Sequence, residues 1–278
     1  MSTTPTSASR LRTGSFADGL TVRIDERGSG SPILVLHGGA GPQSVTGLAS
    51  AVSKRAYVLL PTHPGFEGEP RPEWFDRIDD LALTYLELLE RLDLHDVLII
   101  GSSVGGWIAS EMAVYDTTRL SGLILIDATG IQVDGHPVAD VSSLAPDELL
   151  ALSFHNPADF RVNPATVSPE QAKTRAQNIK TLYVYDQGLK GADPKLRRRL
   201  RRVTIPALVV WGESDGVVDP DYGRAYARSL PNALFELIPE AGHLPQIEQP
   251  ERLLKLVWEF ADSVKAKVSL THDLSSKE

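Results

Sequence analysis

Short apolar runs alternating with stretches of helical spacing constrain the fold of this chain more than any other feature. The runs cover residues 20–24, 33–36, 57–60, 97–100, 123–126, 207–211 and 234–238. Several are nearly unbroken Val, Ile and Leu, the pattern of strands that helices cover on both faces. Ile78, Leu81, Ala82, Tyr85, Leu89 and Leu92 fall on one face of a predicted helix. Leu253, Val257, Phe260 and Val264 do the same on another, with Pro250 at its first turn. Such alternation predicts an α/β protein with a mostly parallel sheet and right-handed crossovers. The chain's 278 residues are enough for one large domain.

Residues 131–203 break the alternation. They carry helical patterns, no clear strand, and Pro137, Pro146, Pro157, Pro164, Pro169 and Pro194. This stretch is expected to be a helical lid over one edge of the sheet. The core then comprises residues 14–130 and 204–270, and residues 1–13 and 271–278 are expected to be loose polar tails. In the last helix of the lid, Leu196, Leu200 and Val203 form an apolar seam. Arg197, Arg198, Arg199, Arg201 and Arg202 surround it, as on a solvated amphipathic helix.

Composition removes several function classes. A net charge of −8 argues against a nucleic-acid partner, which would call for basic surface. With no cysteine, disulfides, thiol catalysis and cysteine-based metal sites are excluded; no metal or cofactor is expected. The amino-terminal residues are polar and lack an apolar signal core. No apolar run approaches the ~18 residues of a membrane span. The expectation is a cytoplasmic protein without a membrane partner, either a monomer or a homodimer.

Gly101-Ser102-Ser103-Val104-Gly105 reads G-x-S-x-G. The run 97–100 leads straight into it, and a helical stretch with Trp107, Ile108, Ala109, Met112 and Ala113 leaves it. A serine on so sharp a strand-to-helix turn exposes its Oγ as a nucleophile. Gly212-Glu213-Ser214-Asp215-Gly216 repeats the pattern, but Val217, Val218, Asp219 and Pro220 follow, so no helix starts at Ser214. Ser103 is therefore the predicted nucleophile.

A serine hydroxyl needs a base to take its proton. His243, in Gly242-His243-Leu244-Pro245, follows the last strand and precedes the last helix. In a doubly wound sheet that loop and the one after residue 100 share the carboxyl edge, where ligands bind. The base needs a carboxylate to set its tautomer. Asp215, in the loop after 207–211, gives the chain order Ser, Asp, His; Asp219 and Asp127 are its competitors. An oxyanion requires two N–H donors. One is predicted at Val104. The other is predicted at Gly39 in the loop His37-Gly38-Gly39-Ala40-Gly41-Pro42, with Ala40 second. That loop lacks the Lys-Ser/Thr ending of a phosphate-binding loop.

Together these residues resemble the α/β-hydrolase superfamily: HGG at 37–39, HPGF at 63–66, GSSVGGW at 101–107, WGESD at 211–215 and GH at 242–243, in order. The resemblance implies an eight-stranded, mostly parallel sheet and a helical lid between the sixth strand and the strand carrying the acid. It also implies two-step acyl transfer without a cofactor. Within the superfamily the chain looks most like esterases and carbon–carbon bond hydrolases. Leu244 stands where the latter carry a tryptophan.

The function expected is cleavage of an ester or similar acyl bond, or of a C–C bond alpha to a ketone, in a small to medium apolar substrate. Trp107, Phe154 and Tyr183 are candidate lining residues, with Phe160 and Tyr185. Two alternatives stay open: a non-hydrolytic reaction on the same triad (lyase, cofactor-free peroxidase or acyltransferase), and a non-catalytic ligand receptor.

Overall fold

The computed structural model describes residues 9–141, 144–163 and 166–275, with side chains described as far as residue 266. Residues 1–8 and 276–278 of the expected tails lie outside the described residues, as do Pro164 and three other positions of the 131–203 segment.

The strands in chain order are β1 Arg10–Ser15, β2 Thr21–Gly28, β3 Pro32–Leu36, β4 Tyr57–Thr62, β5 Val97–Ser102, β6 Leu120–Ile126, β7 Gly130–Ile131, β8 Ala192–Asp193, β9 Ala207–Gly212 and β10 Ala233–Ile238. Eight of them form one sheet in the order β1-β2-β4-β3-β5-β6-β9-β10. Strand β2 pairs antiparallel with β1 and β4; all other neighbours are parallel. This is the α/β-hydrolase sheet that the motifs implied. The two-residue strands β7 and β8 pair separately.

The helices are α1 Gln43–Val52, α2 Ile78–Arg91, α3 Val104–Tyr115, α4 Pro146–Ser153, α5 Pro169–Asp186, α6 Leu196–Arg199, α7 Pro220–Ala227, α8 Pro245–Glu248 and α9 Pro250–Ser275. Alternate residues of β5 feed two cores: Val97 and Ile99 pack with α2, α3 and α7, while Leu98 and Ile100 pack with α1 and α9. That two-sided burial is why the strand reads as a continuous apolar run.

Two boundaries differ from the expected ones. Strand β1 begins at Arg10, inside the 1–13 tail. Its residues are mostly exposed, so it carries no apolar alternation, and hydrogen bonding to β2 alone defines it. Helix α9 continues to Ser275, past residue 270, because no Gly or Pro after Pro250 stops its propagation. Within 131–203 the described residues form the end of β7, α4, α5, α6, β8 and short 3-10 turns. No helix of the described residues is long and apolar enough to cross a membrane.

Candidate active site

Strand β5 delivers the chain to Ser103, whose backbone sits at φ 54° and ψ −122°, a region essentially reserved for glycine. The turn is held by hydrogen bonds from Ser103 N–H to Ile126 O (2.9 Å) and from Thr129 N–H to Ser103 O (3.2 Å). Its glycines are steric necessities: a Cβ at Gly105 would overlap the Leu36 carbonyl oxygen, and one at Gly106 the Ala128 methyl. Gly105→Ala is therefore expected to cost about 3 kcal/mol or more, because the obstacle is backbone. That is a melting midpoint roughly 6–12 °C lower by circular dichroism. Gly47, exposed in α1 with no atom near its Cβ direction, should instead gain about 0.5–1 kcal/mol as alanine.

The structure brings the three predicted residues together. His243 Nε2 lies 2.9 Å from Ser103 Oγ, and its Nδ1 lies 2.8 Å from Asp215 Oδ2. Both His243 and Asp215 are buried. The other carboxylate oxygen, Asp215 Oδ1, accepts the N–H groups of Val217 (2.8 Å) and Val218 (3.1 Å). The carboxylate is thus fixed from both sides before it meets the imidazole, the arrangement that sets a histidine's tautomer.

The competitors sit elsewhere or do something else. Asp219 caps α7, accepting N–H groups from Asp221 and Tyr222, and pairs with His136 at 2.8 Å. Ser214 starts no helix; its Oγ meets His155 Nδ1 at 2.7 Å. Asp127 is fully buried beside Asp215 and accepts the Gly212 N–H at 2.8 Å.

The loop 37–41 lies against the nucleophile: a Cβ at Gly38 would come within 2.8 Å of Ser103 Cβ. Buried histidines hold it. His37 Nε2 accepts the His63 backbone N–H (3.1 Å), so the ring proton is on Nδ1, which donates to Gly38 O at 2.8 Å. The Gly38 carbonyl and the Gly39 N–H belong to one peptide group, so His37 fixes the orientation of that donor. His63 stacks on His37 at 3.7 Å and meets the Tyr85 hydroxyl at 2.5 Å. Burial lowers His63 to about 4 and pushes His37 well below the usual histidine value, so both rings are neutral at pH 7. Among the described residues, neither the Gly39 nor the Val104 N–H is engaged by a hydrogen bond.

The end of α4 and the residues that follow it bind both loops. Gly216 N–H donates to Leu152 O (2.9 Å) and His243 N–H to Ser153 O (2.8 Å). Glu248 accepts from Gly242 N–H (2.6 Å) and His155 N–H (2.9 Å). Phe154 abuts Gly242 and stacks on Phe160 at 4.2 Å. Helix α5 is anchored by Asn178 to Glu67 (2.8 Å), Thr181 to Gly65 O (2.9 Å) and Tyr185 to Pro64 O (2.8 Å).

The aromatic candidates scatter. Tyr183 donates to Asp140 at 3.1 Å. Trp107 packs against Gly130 and lines a cavity of about 330 Å³ with Glu111, Tyr185 and Arg199; the lining does not include Ser103, Asp215 or His243. Leu182, absent from the sequence-based candidates, is the α5 side chain that would meet a Cβ at Gly39, at 2.8 Å. Among the described residues, two groups have the compactness of metal ligands. They are Asp127, Asp215 and His243, where both imidazole nitrogens already have protein partners, and His136, Asp219 and Asp221 nearer the surface.

Residues 33–256 match the profile of the alpha/beta hydrolase family. The chain belongs to that family. Curated relatives of this hydrolase include the 2-hydroxy-6-oxo-6-(2'-aminophenyl)hexa-2,4-dienoic acid hydrolase of Metapseudomonas resinovorans. It is 23% identical over 93% of this chain and 91% of the relative. Lipase 3 of Moraxella sp. is 25% identical over 85% of this chain and 79% of its own length. A thermophilic esterase from Thermogutta terrifontis shares the fold at TM-score 0.73 and 23% identity, covering 92% of this chain and 99% of the esterase. Family and relatives together indicate a hydrolase enzyme.

Proposed function

We propose that this hydrolase opens an ester or similar acyl bond, including a carbon–carbon bond alpha to a ketone, of a small to medium apolar substrate through an acyl-enzyme on Ser103. The observation that carries the reading is the unbroken chain Ser103 Oγ, His243 Nε2, His243 Nδ1, Asp215 Oδ2, with links of 2.9 and 2.8 Å. Ser103 Oγ attacks the carbonyl carbon while His243 takes its proton, and Asp215 stays ionised and stabilises the imidazolium. The N–H groups of Val104 and Gly39 hold the oxyanion, each worth about 100- to 1,000-fold in rate. His243 then returns the proton to the leaving group, and water repeats the sequence on the acyl-enzyme. No cofactor enters this scheme.

Residues 131–203 act as the lid, with Leu182 and the Phe154–Phe160 stack as its apolar contribution near the site. A lipase and a dienoic acid hydrolase among the relatives support acyl chemistry on an apolar substrate. A fluorophosphonate probe tests the reading. Covalent labelling of the wild type, lost in Ser103→Ala, is expected; labelling that survives the substitution or never occurs refutes it.

A further inference from the structure

Helix α5 meets the 37–41 loop at an apolar point and at a polar one. Leu182 lies over Gly39, and Asn178, four residues earlier on the same face, reaches Gly41. Asn178 is 3% exposed. Its amide makes a reciprocal pair with Glu67: Nδ2 donates to Glu67 Oε1 (2.8 Å), and Oδ1 accepts the Glu67 backbone N–H (2.9 Å). Only one orientation of the amide satisfies both bonds. Glu67 lies in the 3-10 turn Phe66–Gly68 with φ 54°, a left-handed conformation that residues with a Cβ rarely adopt. Such strain persists only where the surroundings fix it, and Asn178 holds both the N–H and the carboxylate of this residue.

The pair packs directly on Gly41. A Cβ there would stand 2.8 Å from Glu67 Oε1 and 2.9 Å from Asn178 Nδ2. Gly41 N–H in turn donates to Gly38 O at 3.1 Å, the same carbonyl that accepts the His37 Nδ1–H at 2.8 Å. The Gly38 carbonyl and the Gly39 N–H are the two ends of one planar peptide group. His37 braces that group from the core, and Gly41 braces it from the side of α5. A displacement of Gly41 turns the peptide plane, and a donor misaimed by about 0.5 Å or 10–20° loses its preorganisation.

We propose that Asn178 and Glu67 are positioning residues for the oxyanion donor, resting on the roles given to Ser103 and Gly39 in the preceding section. Their pair fixes Gly41, Gly41 holds the Gly38 carbonyl, and the Gly39 N–H is thereby aimed at the oxyanion that forms when Ser103 Oγ adds to the carbonyl carbon. Neither side chain gives or takes a proton in that step. Their contribution is made in the transition state, where the oxyanion develops, so it falls on kcat and not on KM. Helix α5 thus serves the chemical step through Asn178 and the apolar wall through Leu182.

Exchanging donor and acceptor within the pair tests this. Asn178→Asp removes the Nδ2–H donor and sets a second carboxylate against Glu67; adding Glu67→Gln returns a donor from the other side. Thr181 and Tyr185 still anchor α5 to Gly65 O and Pro64 O, so the helix stays attached, as circular dichroism melts verify. The readouts are kcat and KM for p-nitrophenyl butyrate and the rate of Ser103 labelling by the fluorophosphonate. Asn178→Asp is expected to lower kcat and the labelling rate at least about 10-fold, part of the roughly 100- to 1,000-fold that one oxyanion donor carries, with KM within about threefold. The double variant is expected to return to within about threefold of wild type. A merely structural pair would lower the melting midpoint of Asn178→Asp and leave kcat unmoved. That result, a loss confined to KM, or no recovery in the double variant would overturn the proposal. Should Asn178→Asp not fold, Glu67→Gly relieves the left-handed strain while removing the carboxylate, and it is expected to show the same loss of kcat; an unchanged kcat there overturns the proposal equally. Failure of Ser103 as nucleophile is separate, since wild-type protein would then take no label.

Discussion

Replacing Ser103 with alanine is expected to lower kcat for an ester about 10⁶-fold while KM stays within roughly threefold. The substitution removes the oxygen that His243 Nε2 meets at 2.9 Å, and with it the proposed acyl-enzyme. In the proposed scheme, what remains is binding plus the two N–H donors, acting on water instead of on a held nucleophile. Ser103→Gly should be equally inactive but more stable than Ser103→Ala. At φ 54° and ψ −122° any side chain is strained, and glycine is not. Relief of about 1–2 kcal/mol is expected, at the scale of one strained residue. Pre-steady-state kinetics show the loss of the burst, and urea unfolding of the two inactive variants shows the strain. Equal stabilities would mean that the elbow is not strained. Residual turnover above about 1% of wild type would mean that another group attacks the substrate.

The parts of this site legible in the sequence are those whose chemistry is local. The elbow declares itself because a strand, a glycine-flanked serine and a helix are contiguous, and because glycine is required at 105, against the Leu36 backbone, and at 106, against the Ala128 methyl. Asp215 and His243 are legible because both follow strands that end on the same edge as β5. The helix faces of α2 and α9 are equally clear, since one side of each meets a core and the other meets water.

The rest is hidden for physical reasons. Helix α3 is buried nearly all round, so its sequence does not say which neighbour Trp107 faces. Helix α5 presents Asn178 and Thr181 inward, anchoring on backbone carbonyls and Glu67, so apolar periodicity carries no signal there. The polar stripe Asn178, Thr181, Tyr185, at spacings of three and four, is the signal that identifies the anchored face, and Leu182 lies beside it. The Arg197–Arg202 run shows the same limit. Leu196, Leu200 and Val203 are buried in the seam as the spacing predicts, but Arg199 turns inward to a partner 88 residues away. No local pattern encodes such a pairing.

That pairing is expected to carry a large stability effect. Glu111, on the helix that Ser103 initiates, is 3% exposed. Arg199 meets it with both terminal nitrogens, at 2.6 and 2.7 Å, and also pairs with Asp193, tying α3 to the end of the 131–203 segment. Arg199→Met keeps most of the volume but strands the Glu111 carboxylate. Breaking a buried pair typically costs about 3–5 kcal/mol. Because the Arg199 side chain is 34% exposed, solvent screens part of the interaction, and a loss of about 2–3 kcal/mol is expected. The pH dependence has a definite sign. Burial already raises the Glu111 carboxyl above its ordinary value, and Arg199 opposes that rise. Without Arg199 the folded-state value climbs further above the unfolded one, so the folded protein binds the proton more tightly. The deficit is then smallest below the unfolded value, grows as pH rises through the raised folded value, and is complete above it. Urea unfolding at pH 7.5 and pH 5 should show the gap between wild type and Arg199→Met shrink at the lower pH. Adding Glu111→Met should recover at least half of the loss at pH 7.5, because an apolar pair removes the stranded charge. A deficit that is independent of pH, or a double variant no better than the single, would mean that Arg199 stabilises the fold through the packing of its stem and not through Glu111.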